Sequence, residues 1–492
     1  MKIRILGMVL AAALLVLAAC GDADSGGGGA PDTIQPGEVT NGTGGDDGDE
    51  VVDVHTVLAR LPEADFGGYN FRIWTTNWFN ATLEGRQAPE EQETGEPVND
   101  ALFRRDRLIE AKYNINIVYT LFDESGPLLS TARNSVRAGS DDFDMGMCMM
   151  MVFVRGLAED GAIINFFDMP NIDLGNPWWS QYAQRDLVIA NRFYFPTGDI
   201  TARYVGSQYL MLFNKRLFAD HGMDYPYQLV LDGEWTIDAF EGMIRGKTRD
   251  LNGDGVIDRY DFFGAVFEPM VSYSFLHGAG ESMIRIVDGS PELNITERAM
   301  VIMDRIADIL GSDDVWLPRD WATYDEVPIF VEDRALFAAM TGTNLLLYRD
   351  MESNFGILPV PKWDAAQERH YSFCQSWGSA AVAVPQTNPD LERTGMVIEA
   401  LGAASQHLVT PAVYEITFRY KYARSEQSVK MLDIIVAGSR FSFMYKYNWG
   451  SMYSTFESTV RNGDSFIPRI EALYDRAMLQ MENTIVTYEG RE

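Results

Sequence analysis

Apolar positions fall into three regimes along the chain. Residues 5–19 are an unbroken apolar run, ILGMVLAAALLVLAA, behind Lys2 and Arg4. Residues 21–50 carry Gly and Asp and almost no aliphatic side chains. Beyond residue 51, short apolar runs alternate with stretches of helical periodicity. Residues 69–74 (YNFRIW) and 115–121 (INIVYTL) read as strands. Between them, residues 99–112 place Leu102, Leu108, Ile109 and Ala111 at helical spacing. A helix is expected near residues 128–138, then a methionine-rich apolar run over 143–151. Strand-helix-strand-helix order with short links predicts a parallel, doubly wound α/β sheet covered on both faces.

The leading run is shorter than the about 20 residues a membrane-spanning helix needs, and it suits the h-region of a secretory signal peptide. It ends in Leu17-Ala18-Ala19-Cys20, which resembles the bacterial lipobox, whose cysteine is acylated on sulfur and becomes the first mature residue. The expectation is a signal peptide over 1–19 and a lipid anchor with a flexible linker over 20–50. The alternative is an ordinary signal peptide cut near Ala19. More than one acyl chain is needed for stable membrane attachment, and a Gly-rich stretch without apolar residues stays unfolded.

Composition narrows the function of the body. Hydrophobic content of 46% and aromatic content of 12% describe a well-cored protein of two ordinary domains. A formal charge of −31 excludes nucleic acid as a partner. It also opposes long-range attraction of anionic ligands, although local charge overrides that. Only Cys148 and Cys374 follow Cys20; one disulfide and two buried thiols both remain open.

Later segments add a resemblance. Residues 208–213 (QYLMLF) lead into Asn214-Lys215-Arg216-Leu217-Phe218, and residues 234–240 (EWTIDAF) open a helix with Thr236 or Asp238 as cap. Then come residues 335–340, Thr341-Gly342-Thr343, residues 355–361 (FGILPVP), Trp377-Gly378-Ser379, residues 380–385 (AAVAVP) and Asn388-Pro389-Asp390. In this order, behind a lipobox, they resemble extracellular solute-binding proteins of family 1, the maltose- and oligosaccharide-binding components of ABC importers. The likeness runs from about Leu61 to the C-terminus.

The resemblance implies a two-lobed periplasmic-binding-protein-like fold of type II, usually monomeric, closing on a small ligand and docking on ABC permease subunits. Transferred here, it places lobe one at 61–204 plus 337–373 and lobe two at 205–336 plus 374–492. The crossings would lie near residues 200–207, 336–340 and 374–380. Ligands of open α/β sheets bind beyond the carboxyl ends of the strands. The candidate ligand residues are therefore Asn77, Trp78, Asp199, Thr341, Thr343 and Trp377, with Trp178 and Trp179 from the segment NPWWSQ. A sugar needs flat aromatic platforms and carboxylate or amide partners for its hydroxyls, and these residues have those types. Trp74 and Trp235 are read as core.

One loop has chemistry of its own. Asp250, Asn252, Asp254, Val256, Asp258 and Asp261 occupy positions 1, 3, 5, 7, 9 and 12 of an EF-hand-type pattern, with Gly255 at position 6. This predicts a structural Ca²⁺ site, weakened by Asp in place of the usual bidentate Glu; a bare Asx-rich turn is the alternative. Enzyme signatures are missing: no HExxH, no GxSxG elbow and no P-loop occur. A carbohydrate-active enzyme or adhesin, and an importer protein with peptide or polyamine cargo, stay open as rival readings.

Overall fold

The computed structural model describes residues 53–77, 86–318, 326–348, 350–375, 379–414 and 426–490. The first sheet grows from strand–helix repeats whose boundaries follow local chemistry. Strand β1 (Tyr69–Thr76) buries Phe71 and Ile73 completely. Helix α1 (Pro97–Tyr113) starts where the Glu96 carboxylate accepts from the N–H groups of Val98 and Asn99, with Pro97 in its first turn. It stops at Asn114, which adopts φ 50°. Strand β2 (Ile115–Phe122) then runs parallel to β1, with Tyr69 opposite Ile115 and Thr76 opposite Phe122.

Helix α2 (Ser125–Arg137) returns the chain to β3 (Met145–Met149), parallel to β1 on its other side and buried at every position. Such all-apolar strands are what a sheet covered on both faces requires. The expected apolar run thus becomes strand only over its first half; Met150–Val154 turns into a π-helix. Trp74 faces the core as expected, stacked on Phe143 at 4.3 Å.

The second sheet contains β4 (Tyr209–Asn214) and β5 (Phe263–Phe267). Helices α3 (Val271–Gly278) and α4 (Glu297–Leu310) follow, then β6 (Val315–Trp316), β7 (Ala335–Thr341) and β8 (Phe355–Leu358). Its strand order is β6-β5-β7-β4-β8, with β4 antiparallel to both neighbours and the other pairs parallel. Trp235 sits fully buried beneath this sheet, its indole N–H donating to Pro359 O at 2.8 Å.

The rest of the chain ties the two sheets together. Strand β9 (Ser372–Phe373) lies at the return crossing, and β10 (Ala380–Ala383) pairs antiparallel with β3, so the first sheet reads β10-β3-β1-β2. Helix α5 (Leu391–Tyr414) packs on α1, and α6 (Glu426–Ala437) packs on β8. Strand β11 (Ser439–Arg440) pairs with β9, followed by α7 (Met452–Asn462) and α8 (Ile467–Glu489).

This pairing corrects the lobe limits drawn from the sequence. Residues 337–373 were expected in lobe one, with a crossing near 336–340. Instead β7 is an interior strand of the second sheet, buried at all seven positions and paired on both sides. Strand β10, expected in lobe two, belongs to the first sheet. An apolar run of that length marks a doubly covered strand, not an exposed crossing. The chain passes between sheets near Gln208 and again between Cys374 and Ala380. Cys148 and Cys374 are both free and buried, which closes the disulfide question.

Among the buried charges of lobe one, Asp144 is tied into a network that its packing depends on. Asp144, fully buried, accepts from the Tyr69 hydroxyl at 2.8 Å, from Arg72 N at 2.7 Å and from Arg72 Nε at 2.9 Å. Arg393 of α5 lies over the Tyr69 ring at 3.6 Å. Removing one member of such a network leaves buried partners uncompensated. Asp144→Ala should destabilise the fold by about 3–5 kcal/mol in urea unfolding. A loss below ~1 kcal/mol would place the pair among weak surface contacts.

Candidate functional site

The parallel strands of both sheets end near the interlobe crossings, and the polar side chains placed there define the candidate site. Thr75 closes β1. Gln208 precedes β4 and forms an isolated antiparallel bridge with Cys374. Glu268 follows β5 directly, ahead of Pro269. Tyr348 ends the 3-10 segment Gly342–Tyr348 behind β7.

These groups share a property with other buried side chains, Trp178 and Tyr209 among them. Thr75 Oγ1, both amide atoms of Gln208, Glu268 Oε1 and the Tyr348 hydroxyl are buried without a hydrogen-bond partner. Each such group costs about 1–3 kcal/mol when left unsatisfied. Clustered losses at strand ends are tolerated where a ligand or water supplies the missing partners.

Electrostatics concentrate on Glu268. Burial pushes its carboxyl up to about 8, aided by the neighbouring charges of Glu326 and Glu457. It is therefore largely protonated at neutral pH and able to donate a hydrogen bond. Tyr348 is pushed well above the usual phenol range by burial, then by Glu326 and Glu268. Burial also raises Tyr445 and Tyr453, with Glu268 contributing to both. The rings of Tyr445 and Tyr453 meet edge-on at 5.0 Å. Gln375, on the return crossing, donates to Met270 Sδ at 3.6 Å, joining the crossing to the β5 loop. The result is a carboxyl group amid tyrosines, flanked by amides and hydroxyls.

The residues expected from sequence divide into three groups. Trp78 and Trp377 lie outside the described residues. Asn77 is exposed just past β1 and donates to Asp123 Oδ1 at 3.0 Å, while Thr341 and Thr343 share a hydroxyl contact of 2.9 Å at the end of β7. These three sit on the strand-end edge.

The remaining three are held inside lobe one. Trp178 is wedged against α5, where a Cβ on Gly402 would come within 2.6 Å of its ring. Trp179 donates to Glu399 Oε2 at 2.9 Å. Asp199 accepts from the Thr410 hydroxyl at 2.7 Å, and burial pushes it up to about 7. Gln208, Glu268, Tyr348, Tyr445 and Tyr453 were not anticipated. A signal existed for Glu268: it interrupts an apolar run at the carboxyl end of the strand FGAVF.

The acidic loop folds as its pattern requires at the backbone. Gly255, at position 6, adopts φ 80°. The Asp250 carboxylate accepts from Gly253 N at 2.6 Å and from Gly255 N at 2.8 Å. Asn252 Oδ1 accepts from Asp254 N, Asp254 Oδ1 from Val256 N, and Asp258 Oδ1 from Tyr260 N. Asp261, fully buried, accepts from Leu251 N and Asp258 N and so closes the loop. Among the described residues, no three His, Cys, Asp or Glu side chains are grouped so as to hold a metal ion. The loop is thus drawn together by its own hydrogen bonds.

No family model matches the chain, and no curated protein matches it. Solved structures do. UspC of M. tuberculosis aligns over 84% of this chain and 100% of its own, at 14% identity and TM-score 0.55. The maltose-binding periplasmic protein of Listeria monocytogenes, in complex with maltose, aligns over 85% and 98%, at 12% identity and TM-score 0.52. A sugar transporter from Rhizobium etli in an open conformation aligns over 85% and 99%, at 14% identity and TM-score 0.52. The fold is therefore the two-lobed α/β fold of sugar substrate-binding proteins. No helix among the described residues is long and apolar enough to cross a membrane.

The raised acid at Glu268 makes stability depend on pH. Below about pH 4.5 the native and unfolded states both hold the proton, whereas between about 4.5 and 8 only the native state keeps it. Stability therefore falls as pH rises through that window. Asp199 and Glu399, each pushed up to about 7, act in the same direction. Glu268→Gln should lose less stability between about pH 5 and pH 8 than the unaltered protein in paired melting curves. Equal losses would show that Glu268 ionises normally.

Proposed function

We propose that this chain is an extracellular sugar-binding protein, held by a lipid anchor at Cys20, that captures an oligosaccharide between its lobes for an ABC importer. The observation that carries this reading is the set of buried, partnerless polar atoms at the strand ends, beside tyrosine rings. Sugar hydroxyls supply donors and acceptors together, so they satisfy Gln208, Glu268, Thr75 and Tyr348 at once, while C–H faces lie on aromatic rings. The shared fold with proteins named for maltose and other sugars supports the same cargo. Trp78 and Trp377 are the proposed platforms, with Asn77, Thr341 and Thr343 at the rim. Trp179 and Asp199 are left out of this set because their hydrogen-bond partners lie within lobe one, and Trp178 because its ring is packed against α5.

The mechanism is reversible capture. Ligand binds one lobe, and closure adds contacts from the other. Only the contacts made in the closed state drive that equilibrium. The closed form would then dock on permease subunits. Catalysis has no part in this reading.

Calcium at the loop from Asp250 to Asp261 is a separate proposal, supported by its spacing and by the left-handed Gly255. A carboxylate has about four lone-pair sites, so accepting one N–H per oxygen leaves room for an ion. Its role would be to stiffen the loop ahead of β5. Asp254→Ala should lower the melting midpoint in calcium but not in chelator; the same shift in both media would leave only a hydrogen-bonded turn.

The cargo is tested by calorimetry with malto-oligosaccharides, other oligosaccharides, peptides and polyamines. The expected result is a saccharide complex that Glu268→Gln weakens at least about tenfold, or ~1.4 kcal/mol, without unfolding the protein. Binding by peptides or polyamines alone would overturn the cargo, and release of cleaved sugar would overturn the non-catalytic reading.

A further inference from the structure

A cavity lies away from the strand-end site, at the far end of the helix that follows Glu268. Helix α3 begins two residues after the Glu268-Pro269 corner and spans about 12 Å. Its seventh residue, His277, lines a cavity of about 260 Å³. The other walls come from three structures. Helix Gln181–Asp186 of lobe one gives Arg185 and Asp186, the hairpin Ile284–Val287 and Ser290–Leu293 gives Arg285, and β11 and its end give Arg440 and Phe441.

The charges in this cavity do not cancel. Asp186 is already engaged by Arg185 at 2.6 Å and by Phe441 N at 3.0 Å. Glu281, on the rim, is held by Arg298 at 2.9 Å and by Asn294 Nδ2 at 3.2 Å. Arg285 reaches Glu292 at 3.2 Å. Arg440 has no carboxylate partner among the described residues; its guanidinium lies flat against the Tyr371 ring, 4.3 Å from the centroid. That leaves one surplus cation.

Beside it, His277 is only 3% exposed, and its Nε2 has no hydrogen-bond partner. Burial, reinforced by Arg440, pushes the imidazole down to about 3, so the ring is neutral and offers a hydrogen bond without a charge. Two residues that line one cavity, one with a buried partnerless nitrogen and one with an unpaired guanidinium, form half of a recognition site.

We propose that this cavity binds a small carboxylate-bearing ligand of monosaccharide size, such as a uronic acid. The planar guanidinium of Arg440, already immobilised on Tyr371, matches a carboxylate through two parallel hydrogen bonds. His277 Nε2 takes a ligand hydroxyl, and Phe441 covers an apolar face. The volume holds one sugar unit, and a neutral one leaves the surplus charge unpaired. The site stands apart from the proposed sugar cleft and does not depend on it.

Calorimetry on the full chain in detergent, with glucuronate, glucose and inorganic phosphate, tests this. Glucuronate should bind the unaltered protein and Glu268→Gln alike, and Arg440→Gln should weaken it at least tenfold. Arg285→Gln, on an exposed hairpin and therefore safe for folding, should weaken it about threefold if Arg440→Gln melts early. No glucuronate binding, or binding unchanged in both arginine variants, would overturn the site. Loss in Glu268→Gln instead would move the ligand to the cleft. Phosphate binding as tightly as glucuronate, with the same arginine dependence, would overturn the carboxylate assignment, and glucose competing equally would overturn the need for charge.

Discussion

The structure depends on carrying polar backbone between two apolar sheets. At the crossings, every N–H and C=O needs a partner where neither sheet continues. The chain solves this by bridging its own passages. Gln208 bridges Cys374, Gln375 N donates to Ser207 O at 2.9 Å, and Cys374 N donates to Arg440 O at 2.7 Å. The Ser372 hydroxyl donates to Tyr209 O. Space is as constrained as bonding: a Cβ on Gly206 would come within 2.8 Å of Thr343 Cγ2. Small residues and backbone hydrogen bonds make the described part of this connection narrow. Cys374 fits there as a small apolar filler, since burial pushes its thiol up to about 12 and keeps it inert.

The candidate site follows from that constraint. A narrow connection brings the strand ends of both sheets next to one another, where loop residues replace the apolar ladder. Gln208 sits in the bridged passage itself, so its amide is buried by the hinge rather than by a core. Glu268 and Tyr348 are buried by the turns that follow β5 and β7. Their unsatisfied atoms oppose folding, and the raised acid of Glu268 records part of that cost as a charge the native state does not carry. Thr75, by contrast, is buried at the end of a regular strand, so its hydroxyl is oriented by the sheet. Rigid elements thus fix the polar groups, and the connection between lobes decides how they meet.

The fold was legible where apolar runs were long and regular. β1, β2, α1 and the return strand β10 appear within a few residues of their expected positions, because alternation and capping by Glu96 and Asn114 act locally. Lobe membership was not legible. The run at residues 335–341 looks the same whether it crosses between lobes or sits inside a sheet; only its pairing with β4 and β5 separates the two. The strand-end positions were legible, whereas the side chains gathered around them were not. Thr341 and Asn77 follow from strand ends, but Gln208, Tyr445 and Tyr453 come from segments distant in sequence, and no local pattern joins them. Trp179 and Asp199 were chosen by residue type, and local sequence does not show their partners in the fold. Their residue types suit a ligand, yet Glu399 and Thr410 of α5 already satisfy them.

Net charge turns out to be a poor guide to what each part of this protein recognises. The chain carries −31 overall, yet burial holds its most exceptional acid largely protonated, and one cavity is left with a surplus guanidinium. At physiological salt, charges more than about 8 Å away are largely screened. The distant acids therefore slow an approaching anion but do not decide whether it is held. What decides is the set of groups within a few ångströms. At Glu268 they oppose an anion, because Glu326 and Glu457 already place negative charge beside it. At Arg440 they favour an anion, because every carboxylate nearby is already taken. Both preferences arise from local pairing, and α3, which begins beside one site and ends in the other, keeps the two chemistries apart.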